Sequence, residues 1–153
     1  MNGLKKDQSD VLTFGWREWV KLPDLGLAVI KAKVDTGART SALHAFDLRP
    51  FIEDGKQCIE FSIHPKQRDL DTVQICQADV LGERLITDSG GHQEKRWVIE
   101  TGLVIGEHTW PIEMTLTARD NMKFRMLLGR TALKNKALVD ASASYLVGKK
   151  PRR

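Results

Sequence analysis

Cysteine is scarce in this chain. Cys58 and Cys76 are too few for a disulfide framework, and their spacing is not that of a zinc motif. Both are expected as buried free thiols. No apolar run approaches the roughly 20 residues needed to span a bilayer. The polar start, Met1–Asp10, lacks the apolar segment of a signal peptide. The expectation is a cytoplasmic protein without membrane contact. There is no His-Glu-x-x-His and no Gly-x-x-x-x-Gly-Lys, so the usual sequence marks of a zinc peptidase and of a phosphate-binding loop are missing. Aromatic and basic residues do not interleave along the chain in a way that supports nucleic-acid readout.

What is present fits one globular domain. Hydrophobic residues make up 41 % of the 153 positions and charged residues 29 %, enough for a core and a solvated surface. The net charge is +4, and much of the excess sits in Lys149-Lys150-Pro151-Arg152-Arg153. That run reads as a solvated basic tail rather than a partner-binding arm. No internal repeat or linker divides the rest. The expected organisation is a disordered tail over 1–11, one domain over 12–148 and the basic tail over 149–153.

Short alternating segments separated by turns run through the domain. Leu12–Leu22 reads as a first strand and Pro23–Gly26 as a turn. Leu27–Val34 is a second strand. Thr40–Phe46 is a short one, ended by Arg49-Pro50. Asp54-Gly55 marks a hairpin. Gln57–His64 then alternates, with Ile59, Phe61 and Ile63 on one face. Asp71–Val80 is expected to turn Val73 and Ile75 to one face. Leu85–Thr87 leads to a tip at Asp88–Gly91, and Lys95–Val104 returns. His108–Thr117 carries Trp110, Ile112, Met114 and Leu116 on one face, and Asp120-Asn121 turns the chain again. Lys123–Leu128 is a further strand, Arg130–Lys136 a helical turn or two, and Ala137–Val147 a closing strand or hairpin. Such a pattern indicates an all-β barrel or sandwich.

The chain is organised around Val34-Asp35-Thr36-Gly37-Ala38. A strand delivers the Asp35 carboxylate to a fixed place, and Gly37 permits the tight turn that follows. Alone, Asp-Thr-Gly is most often just a turn. A second stretch, Met126-Leu127-Leu128-Gly129-Arg130-Thr131-Ala132-Leu133, gives it a partner. Together the two resemble the retropepsin-like aspartic proteases. Phe14–Glu18, Lys31–Ala45, His64-Pro65, Thr87–Trp97, Thr115–Asp120 and Met126–Leu133 resemble, more narrowly, the RimK-associated ATP-dependent zinc protease family, classed as retropepsin-like aspartic endopeptidases.

The resemblance implies a closed retropepsin-like barrel with one short helix. It implies catalysis by Asp35, held by Thr36 and Gly37. Ala38, Thr40, Arg130 and a glycine-rich flap with Gly90 and Gly91 would contact an extended peptide or protein substrate. Two carboxylates must share one water, one protonated and one not. The chain offers one Asp-Thr-Gly, so the expected solution is a homodimer. Asp88 and Asp140 are the internal alternatives. The resemblance also implies a functional link to an ATP-grasp glutamate ligase, RimK, and hence a ribosome-linked or glutamylated substrate.

Arg39 departs from the retropepsin pattern. In those peptidases an acid at that position pairs with the arginine of the Gly-Arg stretch. Here Arg130 needs another partner, with Asp35, Glu113 and Asp120 as candidates. No metal is expected. The candidates for a zinc set are His92 and Glu94, one residue apart on one strand face, with His64 or His44 as a third ligand. The four tryptophans, Trp16, Trp19, Trp97 and Trp110, read as core or edge packing rather than cleft lining. Thr40-Ser41 reads as an exposed, turn-stabilising pair. Two other functions stay open: a catalytically silent peptide-binding module and a zinc-dependent peptidase.

Overall fold

Period-2 alternation of β-branched and aromatic residues makes this an all-β chain. The computed structural model describes residues 11–66, 68–87, 90–118, 123–148 and 150. Its strands are β1 (Leu12–Phe14), β2 (Arg17–Leu22), β3 (Leu27–Val34), β4 (Ser41–His44), β5 (Phe46–Glu53) and β6 (Lys56–Ile63). They continue with β7 (Gln74–Thr87), β8 (Gln93–Ile105), β9 (His108–Thr117), β10 (Met126–Leu128) and β11 (Ala137–Val139). One helical turn, α1 (Arg130–Leu133), precedes β11. The two expected tails, apart from Val11 and Lys150, fall outside the described residues, as do Asp88 and the turn at Asp120-Asn121.

Nine strands form one strip in the order β2-β3-β10-β4-β9-β8-β7-β6-β5. β2 meets β8 again only at Lys21–Val104. The strip therefore curls back on itself through a single residue pair, where a closed barrel would have a full ladder. Inside it lie Leu22, Leu27, Ile30, Leu43, Ile59, Phe61, Ile99, Leu103 and Met114, all essentially inaccessible. Trp110 joins this core, stacked on Phe14 with its indole N–H donating to the Ala132 carbonyl.

Several expected boundaries shift for identifiable reasons. The first strand breaks at Gly15-Trp16 into β1 and β2. A Cβ on Gly15 would collide with the Ala143 carbonyl, so the chain bends where the C-terminal segment crosses it. Pro50 does not end its strand. It sits within β5, the last strand of the strip, where a missing N–H costs no interior ladder bond. The expected strand Asp71–Val80 starts later, at Gln74, and runs on through Leu85–Thr87 as one long strand, β7, with a register shift between Val80 and Gly82. Its inward residue is Cys76, while Ile75 on the strand and Val73 just before it are both exposed. β11 stops at Val139, and the rest of the expected closing strand is irregular.

The strand connections place the central turn. β10 inserts between β3 and β4, parallel to the first and antiparallel to the second. Leu128 ends opposite Val34, so the Asp35 turn emerges where β3 and β10 finish together.

Candidate active site

The Asp35 turn is fixed from both sides. The Asp35 N–H donates to the Leu128 carbonyl at 2.9 Å, and the Ala38 N–H returns to the Asp35 carbonyl at 3.2 Å. The Gly37 N–H donates to Asp35 Oδ1 at 2.9 Å. One carboxylate oxygen is thereby oriented, and the half-buried side chain keeps its second oxygen for other partners. The residues that follow the turn, Ala38 and Arg39, lock the Gly-Arg stretch in their turn. Arg130 N–H donates to Ala38 O at 2.8 Å and Thr131 N–H to Arg39 O at 3.1 Å. A Cβ on Gly129 would lie 2.6 Å from the Thr40 carbonyl, so only glycine permits this approach.

Ser41 is the residue that sequence reasoning missed here. It is not exposed but fully buried. Its Oγ accepts the Gly129 N–H at 3.0 Å, and its carbonyl accepts the Thr115 hydroxyl at 2.9 Å. The hydroxyl ties β4 to the Gly-Arg stretch from beneath the turn. The one sequence signal was its place at the start of the strand that follows Asp-Thr-Gly-Ala.

Arg130 finds its partner in the turn's backbone. Its guanidinium donates to the Thr36 carbonyl at 3.0 Å. Glu113 pairs instead with Arg84 at 2.9 Å, and Asp120 lies outside the described residues. The side chain of Arg39 is exposed. Its backbone carbonyl, rather than its charge, serves the site.

Asp35, Gly37, Ala38, Thr40 and Arg130 line a cavity of about 1050 Å³. The arms of the β7–β8 hairpin overhang it through Arg84 to Thr87 and Arg96. Gly90 and Gly91 belong to the hairpin's end and do not line the cavity, nor does Thr36. Among the described lining residues stand four arginines, Arg39, Arg84, Arg96 and Arg130, against two carboxylates, Asp35 and Glu113. The cleft is cationic.

The other candidates are engaged elsewhere. Asp140 does not line the cavity. Its carboxylate accepts the Ser142 hydroxyl at 2.6 Å and the Ser142 N–H at 3.0 Å, and these bonds lower its pKa. Two of the zinc candidates, Glu94 and His64, have other partners. Glu94 is bonded by Arg96 at 2.8 Å and by the Thr117 hydroxyl at 3.1 Å. His64 faces the Thr72 carbonyl at 3.2 Å and stacks on Phe46. Among the described residues, no three His, Cys, Asp or Glu side chains converge. Nor is any helix there long and apolar enough to cross a membrane.

The sequence model of the RimB-like family, described as retropepsin-like aspartic endopeptidase RimB, matches residues 13–150. The chain belongs to the RimB-like family. Among curated relatives, a probable alpha-L-glutamate ligase of Shewanella halifaxensis is 46 % identical over 134 residues, covering 88 % of this chain and 29 % of that protein. The namesake from Parasynechococcus marenigrum is 48 % identical, again over 88 % of this chain and 29 % of its own length. The RimB-like chain thus spans less than a third of the curated relatives it matches. A solved structure of Lpg0085, a Legionella pneumophila protein of unknown function, superimposes with a TM-score of 0.75 at 24 % identity. That match covers 88 % of this chain and 97 % of the Legionella chain and speaks for the fold.

Proposed function

We propose that this RimB-like chain is an aspartic endopeptidase that hydrolyses carboxylate-rich, glutamylated protein segments. The observation that carries the reading is the Asp35 turn: a carboxylate oriented by one backbone N–H, at the junction of β3 and β10, opening into a cavity. The four cleft arginines favour an acidic peptide by charge complementarity. The glutamate ligase names of the relatives point to the same substrate class and to a functional link with such a ligase.

In this mechanism two copies of Asp35, one from each subunit of a homodimer, share a water. Like charges this close do not both ionise, so one carboxyl keeps its proton. The unprotonated carboxylate takes a proton from water as its oxygen attacks the peptide carbonyl carbon. The protonated one gives its proton to the carbonyl oxygen. Collapse of the tetrahedral intermediate breaks the C–N bond, and the amine leaves with a proton returned from a carboxyl. Gly37 orients the carboxylate, and Arg130 holds the turn through Thr36.

The test is hydrolysis of a glutamate-rich peptide by the full chain and by Asp35→Asn. Loss of a group in acid–base chemistry lowers the rate by about 10²–10⁴-fold. Sedimentation of the active form is expected to show a dimer. Peptide binding without turnover by the unaltered chain would support a second reading, a silent peptide-binding module. The Glu113–Arg84 pairing favours that reading, because it engages the only other carboxylate among the described lining residues.

A further inference from the structure

A second groove, of about 1310 Å³, runs along the outer face of β2, β3 and β10. Its described lining residues include eight lysines and arginines and no aspartate or glutamate. We infer that this groove is an exosite that holds an extended, carboxylate-rich polypeptide and guides it to the Asp35 cleft. The guiding role rests on the peptidase reading above; the binding itself does not.

Three observations carry it. The first is the placement of charge. Arg17 on β2 lies directly opposite Lys33 on β3, a like-charge cross-strand pair that disfavours the sheet. Lys31 is two residues before Lys33 on the same strand face, and Lys66 and Arg68 face them from the loop after β6. Among the described residues, no carboxylate forms an ion pair with Arg17, Lys31, Lys33, Lys66 or Arg68. The mutual repulsion of cations gathered in this way works against the fold, whereas it favours an anionic ligand.

The second is spacing. Lys31 and Lys33 are separated by about 7 Å along the strand, the repeat of alternate side chains in any extended polypeptide. An acidic chain lying alongside would present every second carboxylate in register with them.

The third is continuity. Leu127 in the middle of β10 lines both this groove and the catalytic cavity. Its neighbours in the sheet are Lys33 on the groove side and Ala42 on the cavity side. A polypeptide crossing Leu127 passes from one site to the other.

Nucleic acid is the competing polyanion, and the aromatic rings disfavour it. Single strands bind by stacking bases on exposed rings. Here the rings are covered by the groove's own cations. Lys31 and Lys150 lie over Trp19 at 5.1 and 5.5 Å, and Arg17 lies over Trp16 at 4.6 Å. These contacts hold the cations in place and leave little ring face for a base.

The experiment measures fluorescence anisotropy of a labelled ten-glutamate peptide with the full chain carrying Asp35→Asn, so that hydrolysis does not intervene. Adding Lys31→Gln and Lys33→Gln is expected to weaken binding at least tenfold. Lys95→Gln, on the hairpin and away from the groove, is expected to leave it unchanged. Should the Lys31/Lys33 variant fail to fold, Lys66→Gln with Arg68→Gln is expected to give the same loss. Unchanged affinity in a folded groove variant overturns the exosite. Equal or tighter binding of a single-stranded RNA of matching charge overturns it as well. In the Asp35-intact chain, the groove variants are expected to raise KM for the acidic peptide and to leave hydrolysis of a short neutral peptide unchanged. An intact chain that binds but does not hydrolyse would remove the peptidase reading and keep the binding site.

Discussion

Two carboxylates in this chain are held by glycine-containing turns and are used in opposite ways. Glu18 is fully buried. Its two oxygens accept four backbone N–H groups: Gly15 at 2.6 Å and Leu146 at 2.9 Å on one, Val147 at 3.1 Å and Gly148 at 2.8 Å on the other. Asp35 is half-buried and takes one such bond, from Gly37. Both side chains are fixed, but only one has acceptor capacity left over. Saturation by backbone donors marks the structural carboxylate, and an oriented but unsaturated one marks the group available for chemistry.

Glu18→Gln tests the saturated end of this contrast most severely. The amide keeps one acceptor oxygen and turns an NH2 toward two backbone N–H groups, one buried and one partly buried. Each orphaned donor costs about 1–3 kcal/mol, so the loss is on the order of 4 kcal/mol. For a chain of this length that lowers Tm by roughly 10 °C, readable by thermal unfolding. Asp35→Asn is expected to behave inversely. Asn still offers Oδ1 to the Gly37 N–H, so stability should move by less than about 1 kcal/mol while peptidase activity collapses. If Asp35→Asn destabilised the chain as much as Glu18→Gln, the distinction between the two carboxylates would fail.

The sequence carried the Asp35 turn and the Gly-Arg stretch because both depend on local chemistry: a strand end, a glycine and a tight turn. It also carried the inward face of β9, where Trp110, Ile112, Met114 and Leu116 alternate cleanly and are buried. It did not carry what depends on distant segments meeting. Glu18 looks like an ordinary charged position until residues 146–148 return to it. Ser41 looks like a surface hydroxyl until Gly129 arrives beneath it. Ile75 looks like an inward position, yet β7 turns Cys76 inward, because pairing with β6 sets its register. The cationic groove was equally hidden, since its lysines and arginines come from β2, β3, the loop after β6 and the approach to β10.

Ser41→Ala falls between the two carboxylates in effect. It removes the acceptor for the buried Gly129 N–H and leaves the Asp35 turn's own bonds intact. A stability loss of about 1–2 kcal/mol is expected in urea unfolding. Peptidase activity should fall further than stability alone explains, because the Gly-Arg stretch that anchors Ala38 and Arg39 is loosened. Ser41→Thr keeps the acceptor and should recover part of the stability lost in Ser41→Ala.

Cys76 provides the smallest and most selective test of the closed side of the molecule. Burial pushes its thiol up to about 11 from an ordinary value of 9.0. Only the thiolate reacts with alkylating agents, so at pH 8 roughly one molecule in a thousand is competent. Labelling of the native chain at Cys76 should be slow and should accelerate sharply in denaturant. The same shift fixes a pH dependence. The fold binds this proton more tightly than the unfolded chain does, so the contribution is fully present below about pH 9 and is lost as pH rises through 11. Lysines and the tyrosine titrate in the same range, so the readout is the difference between variants. The urea midpoint of Cys76→Ala should decline less between pH 9 and 11 than that of the unaltered chain. A parallel decline would mean that the β7 thiol is as open to solvent as Asp35, and the division between closed and open groups would not extend to this side of the sheet.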